Sequence, residues 1–328
     1  LVLLKKAFKI LSRTLLVLLL LLLSLYGLLH LSAVQTWLAQ KYAAHLSEKL
    51  QTKVSIGKIK FHFFDKLQFE SLLIEDHQKD TMIYAGNGIA LLDDWFFLQS
   101  DINIHQLSLD DAKIHFKRTG KEWNYQFLAA YLGASDQKKS SNPIQLNLKN
   151  IHLTNISFQS LDLWKGEDMI VHLAAADLSF QKTDFINEDI RLHTIHLQKP
   201  DFKMVSYVGT RTEAEEKIAL SDTTTWRNAT ACRVNHLSIS NGSFVYQRPD
   251  VTSPQHAPFN ENNFSFFGIT GSIDHLMIKG NELKAKLQLQ TKEKSGLSIK
   301  GLQADLTFNE SVMKFDALDL QTNKSKIK

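Results

Sequence analysis

The chain reads as a mainly β protein, with a transmembrane helix and an amphipathic helix followed by an elongated, antiparallel-type β-sheet. Three observations predict this. Residues 14–34 form one apolar run, the apolar period drops from near four to two after Gln51, and one spacing of apolar residues keeps returning thereafter.

Lys5, Lys6, Lys9 and Arg13 precede every acidic residue and account for the formal net charge of +4. They mark residues 1–13 as a basic cytoplasmic segment by the positive-inside tendency. The run "TLLVLLLLLLSLYGLLHLSAV", residues 14–34, has His30 as its one side chain that can carry charge near neutral pH. As a helix it is about 30 Å long, the thickness of a bilayer core. The apolar part of a cleavable signal peptide is shorter, about 7–15 residues, and ends at small residues. An uncleaved anchor follows, with the bulk of the chain across the membrane. Residues 35–51 continue as an amphipathic helix, on which Val34, Leu38, Tyr42, Leu46 and Leu50 recur every fourth residue. Trp37 and Tyr42 then lie at headgroup depth, or the helix caps the next domain; the two readings are compatible.

Residues 52–328 are a repetitive β region. In "IHQLSLDDAKIHF", from Ile104, apolar residues stand at offsets 0, 3, 5, 8, 10 and 12, and the pattern returns from Leu148, Leu192, Val234, Ile273 and Phe315. A repeat of roughly 40 residues holds three or four strands. Two-residue alternation puts offsets 3 and 5 on one face and offsets 8, 10 and 12 on one face. The odd step between them needs a turn or bulge, and "DDA" at 110–112, "TNI" at 154–156, "QKP" at 198–200 and "SNG" at 240–242 suit one. Strand, corner, strand with one dry side is the expectation, in about twenty strands spanning on the order of 100 Å. The interruptions are a helical insertion at 122–133, a polar linker at 134–143 expected to be mobile, and loops at 209–226 and 246–263. What covers the dry face is open: the sheet curls on itself, pairs with another sheet, or takes an apolar ligand.

Composition and motifs exclude much. Beyond the N-terminal segment the charges cancel, which leaves no basic field for nucleic acid. Cys232 is the single cysteine, so no intramolecular disulfide and no cysteine-based zinc site can form. No nucleophile elbow, zinc-protease helix or phosphate-binding glycine loop is present, and "AGNGIA" at 85–90 reads as a turn between strands. His105, His115, His152, His193, His196, His236 and His275 fall at or beside polar positions of the repeat and read as a wet face rather than metal ligands. Asp93–Asp94 and Asp110–Asp111 read as turn residues. No catalytic residue, metal or cofactor is expected.

The anchor, the helix running into "KVSIGKIKFHFFDKLQFESLLIED", the "IHQLSLDDAKIHF" class of repeat and the "WNYQFLAAYLG" insertion together resemble the AsmA-like superfamily, most closely its TamB-type branch, over essentially the whole chain. The resemblance implies an inner-membrane anchor and a periplasmic, curled, taco-shaped β-groove with an apolar interior. It further implies phospholipid acyl chains as occupants and an outer-membrane barrel as partner. The chain departs in lacking the C-terminal domain that would engage such a partner, and so reads as the inner-membrane end of a longer protein.

The leading expectation is a non-enzymatic lipid-transfer bridge serving envelope biogenesis. Its groove is lined by Ile104, Leu107, Leu109, Ile114, Phe116, Ile151, Leu153, Phe158, Ile195, Leu197, Phe202, Leu237, Ile239 and Phe244. Acyl chains would supply the missing cover, each buried CH₂ contributing about 0.8 kcal/mol. The alternative is a scaffold or chaperone that lends its sheet edges to outer-membrane β-strands. An envelope hydrolase stands a distant third.

Overall fold

The computed structural model describes residues 2–62, 65–92, 101–131, 145–184, 189–212, 231–251, 260–280, 282–309 and 311–328. Helices α1 (Val2–Leu29) and α2 (Ser32–Leu50) open the chain. The strands that follow begin with β1 (Val54–Ser55), β2 (Lys58–His62), β3 (Lys66–Glu75), β4 (Thr81–Leu92) and β5 (Asp101–Arg118). After the short helix α3 (Gln126–Tyr131) come β6 (Gln145–Asp162), β7 (Glu167–Asp184), β8 (Asp189–Ser206), β9 (Ala231–Gln247) and β10 (Asn263–Lys279). The last are β11 (Glu282–Glu293), β12 (Ser298–Phe308), β13 (Met313–Thr322) and β14 (Lys326–Ile327).

These elements form one 14-stranded sheet in chain order from β3 to β14, with β1 and β2 both paired to β3. It is long, open and curled, and at about 4.8 Å per strand the ladder runs about 60 Å. The antiparallel-type expectation is corrected: β5–β6 and β8–β9 are parallel, which makes the sheet mixed. Parallel neighbours need a long crossover, and the segments after β5 and after β8, which read as interruptions of the ladder, are those crossovers. The first carries α3, inside the predicted 122–133 insertion. The predicted linker at 134–143 and residues 213–226 of the predicted loop lie outside the described residues. Of the loop predicted at 246–263, Tyr246–Gln247 and Asn263 belong to strands, and residues 252–259 lie outside the described residues.

The twenty short strands are likewise corrected. Each motif copy from Ile104, Leu148, Leu192 and Val234 lies in one strand of 17 or 18 residues rather than in two joined by a corner. The odd step is absorbed by one left-handed residue per strand: Asp111 (φ 55°), Asn155 (52°), Lys199 (46°) and Asn241 (53°). A left-handed residue restores the parity of the side chains without ending the pairing, and from β4 to β9 the partner strands pass it residue for residue. Asn and Asp take this conformation most readily among residues other than glycine. A register shift nearer the strand start leaves His105 and His193 as extra residues and absorbs the step from offset 0 to offset 3. "AGNGIA" is no turn. It lies inside β4, where a Cβ on Gly88 would fall 2.0 Å from the Phe69 ring, so only glycine lets that ring lie across the strand.

The N-terminal reading is corrected as well. The helix does not run unbroken through 14–34: α1 ends at Leu29, and Ser32–Val34 belong to α2. Among the described residues no single helix is long and apolar enough to cross a membrane. Arg13–Leu28 and Ser32–Leu50 pass that test only as a pair bent by 74°.

Candidate functional site: an apolar groove

Strand register sorts the apolar side chains into rows that cross the sheet. Leu67, Ala90, Leu107, Ile151, Leu178, Ile195, Leu237, Ile273, Leu287 and Ala304 are successive partners from β3 to β12. Two positions along, a second row runs Phe69, Gly88, Leu109, Leu153, Ala176, Leu197, Ile239, Gly271, Leu289, Leu302, Leu320 and Ile327, from β3 to β14. Beyond the left-handed residues a third runs Val54, Ile74, Ile83, Ile114, Phe158, Val171, Phe202, Phe244 and Phe266, from β1 to β10. It stops where Phe266 meets Glu293. No polar side chain interrupts any of the three rows.

The residues directly after the left-handed ones form the crease between the walls. Ala112, Ile156, Pro200 and Gly242 are all buried there, and Ala85 and Leu173 join them by register. Ala85, Ala112 and Ile156 pack with Phe69, Leu72, Leu109, Leu153 and Leu173, which shows that both walls share one face. One wall is aliphatic. The other is richer in aromatics, with Phe116 edge-on to Phe158 at 5.7 Å and Phe264 between Tyr246 at 5.3 Å and Phe266 at 5.7 Å.

The fourteen predicted lining residues can now be placed. Leu107, Ile151, Ile195 and Leu237 are in the first row, Leu109, Leu153, Leu197 and Ile239 in the second, and Ile114, Phe158, Phe202 and Phe244 in the third. Ile104 pairs with Leu92 and Leu148 at the rim of the aliphatic wall, and Phe116 stacks on Tyr125 and Phe158. All fourteen are half-buried. That is the exposure of an apolar face that few of the described residues cover, since the strands touch chiefly their ladder neighbours. Sequence reasoning missed β7, which carries Val171, Leu173, Ala176 and Leu178 but starts no motif copy. The same odd step, from Leu173 to Ala176, was the signal that could have found it.

At its first end the groove does have a cover. α2 lays Ala43 and Leu50 on Val54 beside Ile74, and Phe127 and Leu128 of α3 close the same cluster. α2 also serves the backbone of β2: Gln35 accepts from Phe61 N–H at 2.9 Å, Thr36 both donates to and accepts from Ile59 at 3.2 Å, and Gln40 donates to Gly57 C=O at 3.0 Å. These bonds occupy an edge that would otherwise pair with another strand. The predicted apolar stripe of α2 is thereby split. Leu46 and Leu50 face the sheet, while Leu38, Trp37 (57% exposed) and Tyr42 (66% exposed) face outward with Leu31.

The outer face is polar. His152 pairs with Asp177, His196 with Ser238 at 2.6 Å and His236 with Asp274 at 2.6 Å. The hydrogen bond from His236 is the largest effect holding the Asp274 carboxyl below its ordinary value. His115 is an exception to the predicted wet face, because its Nε2 is buried without a hydrogen-bond partner. Asp111 is the left-handed residue of β5, bonded by the Asn155 side chain; Asp93–Asp94 lie outside the described residues. Among the described residues no three His, Cys, Asp or Glu side chains are grouped to hold a metal. Cys232 is half-buried in β9, and burial pushes its thiol up, away from the reactive thiolate.

One rim of the groove is tied by a polar knot. Arg118 forks onto Asp162, with Nε to Oδ1 at 2.9 Å, and lies between the rings of Trp123 and Trp164 at 4.8 and 4.7 Å. Beside it Tyr207 donates to Asp168 at 2.9 Å. What this arrangement offers chemically is a long apolar surface, with one aliphatic and one aromatic wall, on which an apolar partner can bind. No family model and no curated protein sequence matches the chain.

Proposed function

We propose that this chain is a membrane-anchored lipid-transfer groove of the AsmA-like, TamB type, which carries phospholipid acyl chains along its concave face from an inner membrane toward an outer one. The observation that carries the reading is the second apolar row, continuous from Phe69 to Ile327 with no polar side chain in it. A surface of this kind, with no second layer among the described residues, wants an occupant, and acyl chains gain about 0.8 kcal/mol per buried CH₂ there. In this reading the bent pair of α1 and α2 seats the chain on the membrane, with Leu31, Trp37, Leu38 and Tyr42 at the headgroup level. Leu153→Asp or Leu197→Asp breaks the row, so photo-crosslinkable lipid should label positions on the membrane side of the change and lose those beyond it. Equal labelling on both sides sinks the reading.

A second reading is favoured by the far edge of the sheet. β14 covers only Leu320 and Gln321 of β13, and Met313 (62% exposed) and Phe315 (40% exposed) stand on the part it leaves uncovered. An outer-membrane β-strand added there would make the chain a scaffold for barrel assembly. Site-specific crosslinks from Met313 to nascent barrel chains, with no lipid in the groove, would favour it.

A further inference from the structure

The cover at the first end of the groove has a fixed half and a seated half. α2 is fixed: it buries Gln35, Ala43 and Leu50, and Gln35, Thr36 and Gln40 bond it to the backbone of β2 and the residue before it. α3 is seated. It spans six residues, none of them buried, and a helix this short keeps its shape only through contacts with the rest of the chain. Those contacts are apolar: Phe127 and Leu128 rest on the cluster of Ala43, Leu50 and Val54 beside Ile74, where the third row begins. The segment before α3 is a firm root on β5. Trp123 pairs with Arg118 through the backbone, Tyr125 leans on Phe116 at 4.5 Å, and Asn124 accepts from Lys117 N–H at 2.9 Å and donates to Asp76 at 3.0 Å. Past this root His77 clasps the helix. It donates from Nε2 to the carbonyl of Leu50, the last residue of α2, at 3.0 Å and stacks its ring on Phe127 at 4.3 Å.

We propose that α3 is a built-in plug: Phe127 and Leu128 hold the head of the third row in the empty chain, an acyl chain displaces them, and His77 sets how readily α3 leaves. The proposal rests on the lipid-groove reading and adds its regulation. Val54 and Ile74 continue the row that Ile83, Ile114 and Phe158 carry across the sheet, so an occupant that fills this row to its end must take the place of Phe127 and Leu128. The apolar area that α3 then gives up to water is offset by the area the acyl chain loses from it. The root at Trp123–Tyr125 stays on β5 and keeps the displaced helix near its seat, ready to return when the row empties.

The test is hydrogen exchange, read by mass spectrometry, on the full chain held in amphipol. The chain is stripped of lipid, then loaded from vesicles of phosphatidylethanolamine and phosphatidylglycerol, with bound phospholipid counted by extraction. Loading should speed exchange of the Gln126–Tyr131 amides, while the amides of β7–β9 hold or slow and report in every sample that the sheet is folded. In the unloaded chain His77→Ala should speed exchange of Gln126–Tyr131 by about fivefold, the loss of about one hydrogen bond with its ring contact. His196→Ala, on the outer face, should leave it unchanged. Unchanged exchange in His77→Ala overturns the clasp. Bound phospholipid with the Gln126–Tyr131 amides unchanged or slowed overturns the plug and leaves the groove standing. A folded wild-type chain that takes up no phospholipid overturns the groove reading, and the plug with it.

Discussion

Arg118 touches a buried carboxylate and two indole faces at once, and its removal strands more than its own contacts. Its side chain is 15% exposed and that of Asp162 is 8% exposed, so Arg118→Ala leaves a carboxylate with little water to replace the guanidinium. A loss of about 3–5 kcal/mol is expected, read from urea unfolding. Arg118→Met combined with Asp162→Leu, which removes both charges and keeps the volume, should cost clearly less. A mild effect of Arg118→Ala would mean that the knot does not hold the rim. Tyr207 gives the knot a pH signature. Burial, then the hydrogen bond to Asp168, pushes its hydroxyl up from 10.0 to about 12. The folded state favours the neutral phenol, so this contribution is intact below pH 10 and fades as pH rises toward about 12. Tyr207→Phe should flatten the alkaline limb of the stability curve between those values. An unchanged limb would place the titration elsewhere.

At the scale of the element, the left-handed residue is what makes each of these long strands amphipathic. Deleting Asn155 removes it from β6, and by two-residue alternation Ile156 and Phe158 turn to the outer face and fall out of register with β5 and β7. That variant should unfold or aggregate, whereas Asn155→Gly, which keeps the residue and eases the left-handed backbone, should remain near wild-type stability. Circular dichroism melting of the two variants checks this, and a well-folded deletion would contradict the role given to the left-handed residue. The place of the left-handed residue was legible in the sequence: "DDA", "TNI", "QKP" and "SNG" each contain it, although β7 makes the same odd step, from Leu173 to Ala176, without one. Strand direction was not legible. Parallel and antiparallel neighbours bury the same alternation, and only the crossover lengths carry the difference. The faces of α2 were misread for a geometric reason: a strict step of four residues drifts by about 40° each time, so Val34 and Leu50 end on opposite sides of the helix.

At the scale of the molecule, the sheet is finished at one end and open along its length. α2 and α3 cover the first strands, and its backbone edge there is occupied by Gln35, Thr36 and Gln40. Past that cover the described residues form no second layer over the three rows. The long strands, the small or turn-forming residues in the crease and the continuous register curl the sheet into a trough. The candidate lining was legible residue by residue, since dry offsets stay dry when copies stack. Its continuity was not, because β4 and β7 complete the rows without repeating the motif. The proposed lipid carriage rests on one claim, that the apolar face holds acyl chains. The most direct test is native mass spectrometry of the full chain, released gently from membranes, alongside lipid extraction of the same sample. The claim predicts co-purifying phospholipid that Leu153→Asp depletes while the protein stays folded. A folded wild-type chain with no bound phospholipid would contradict it.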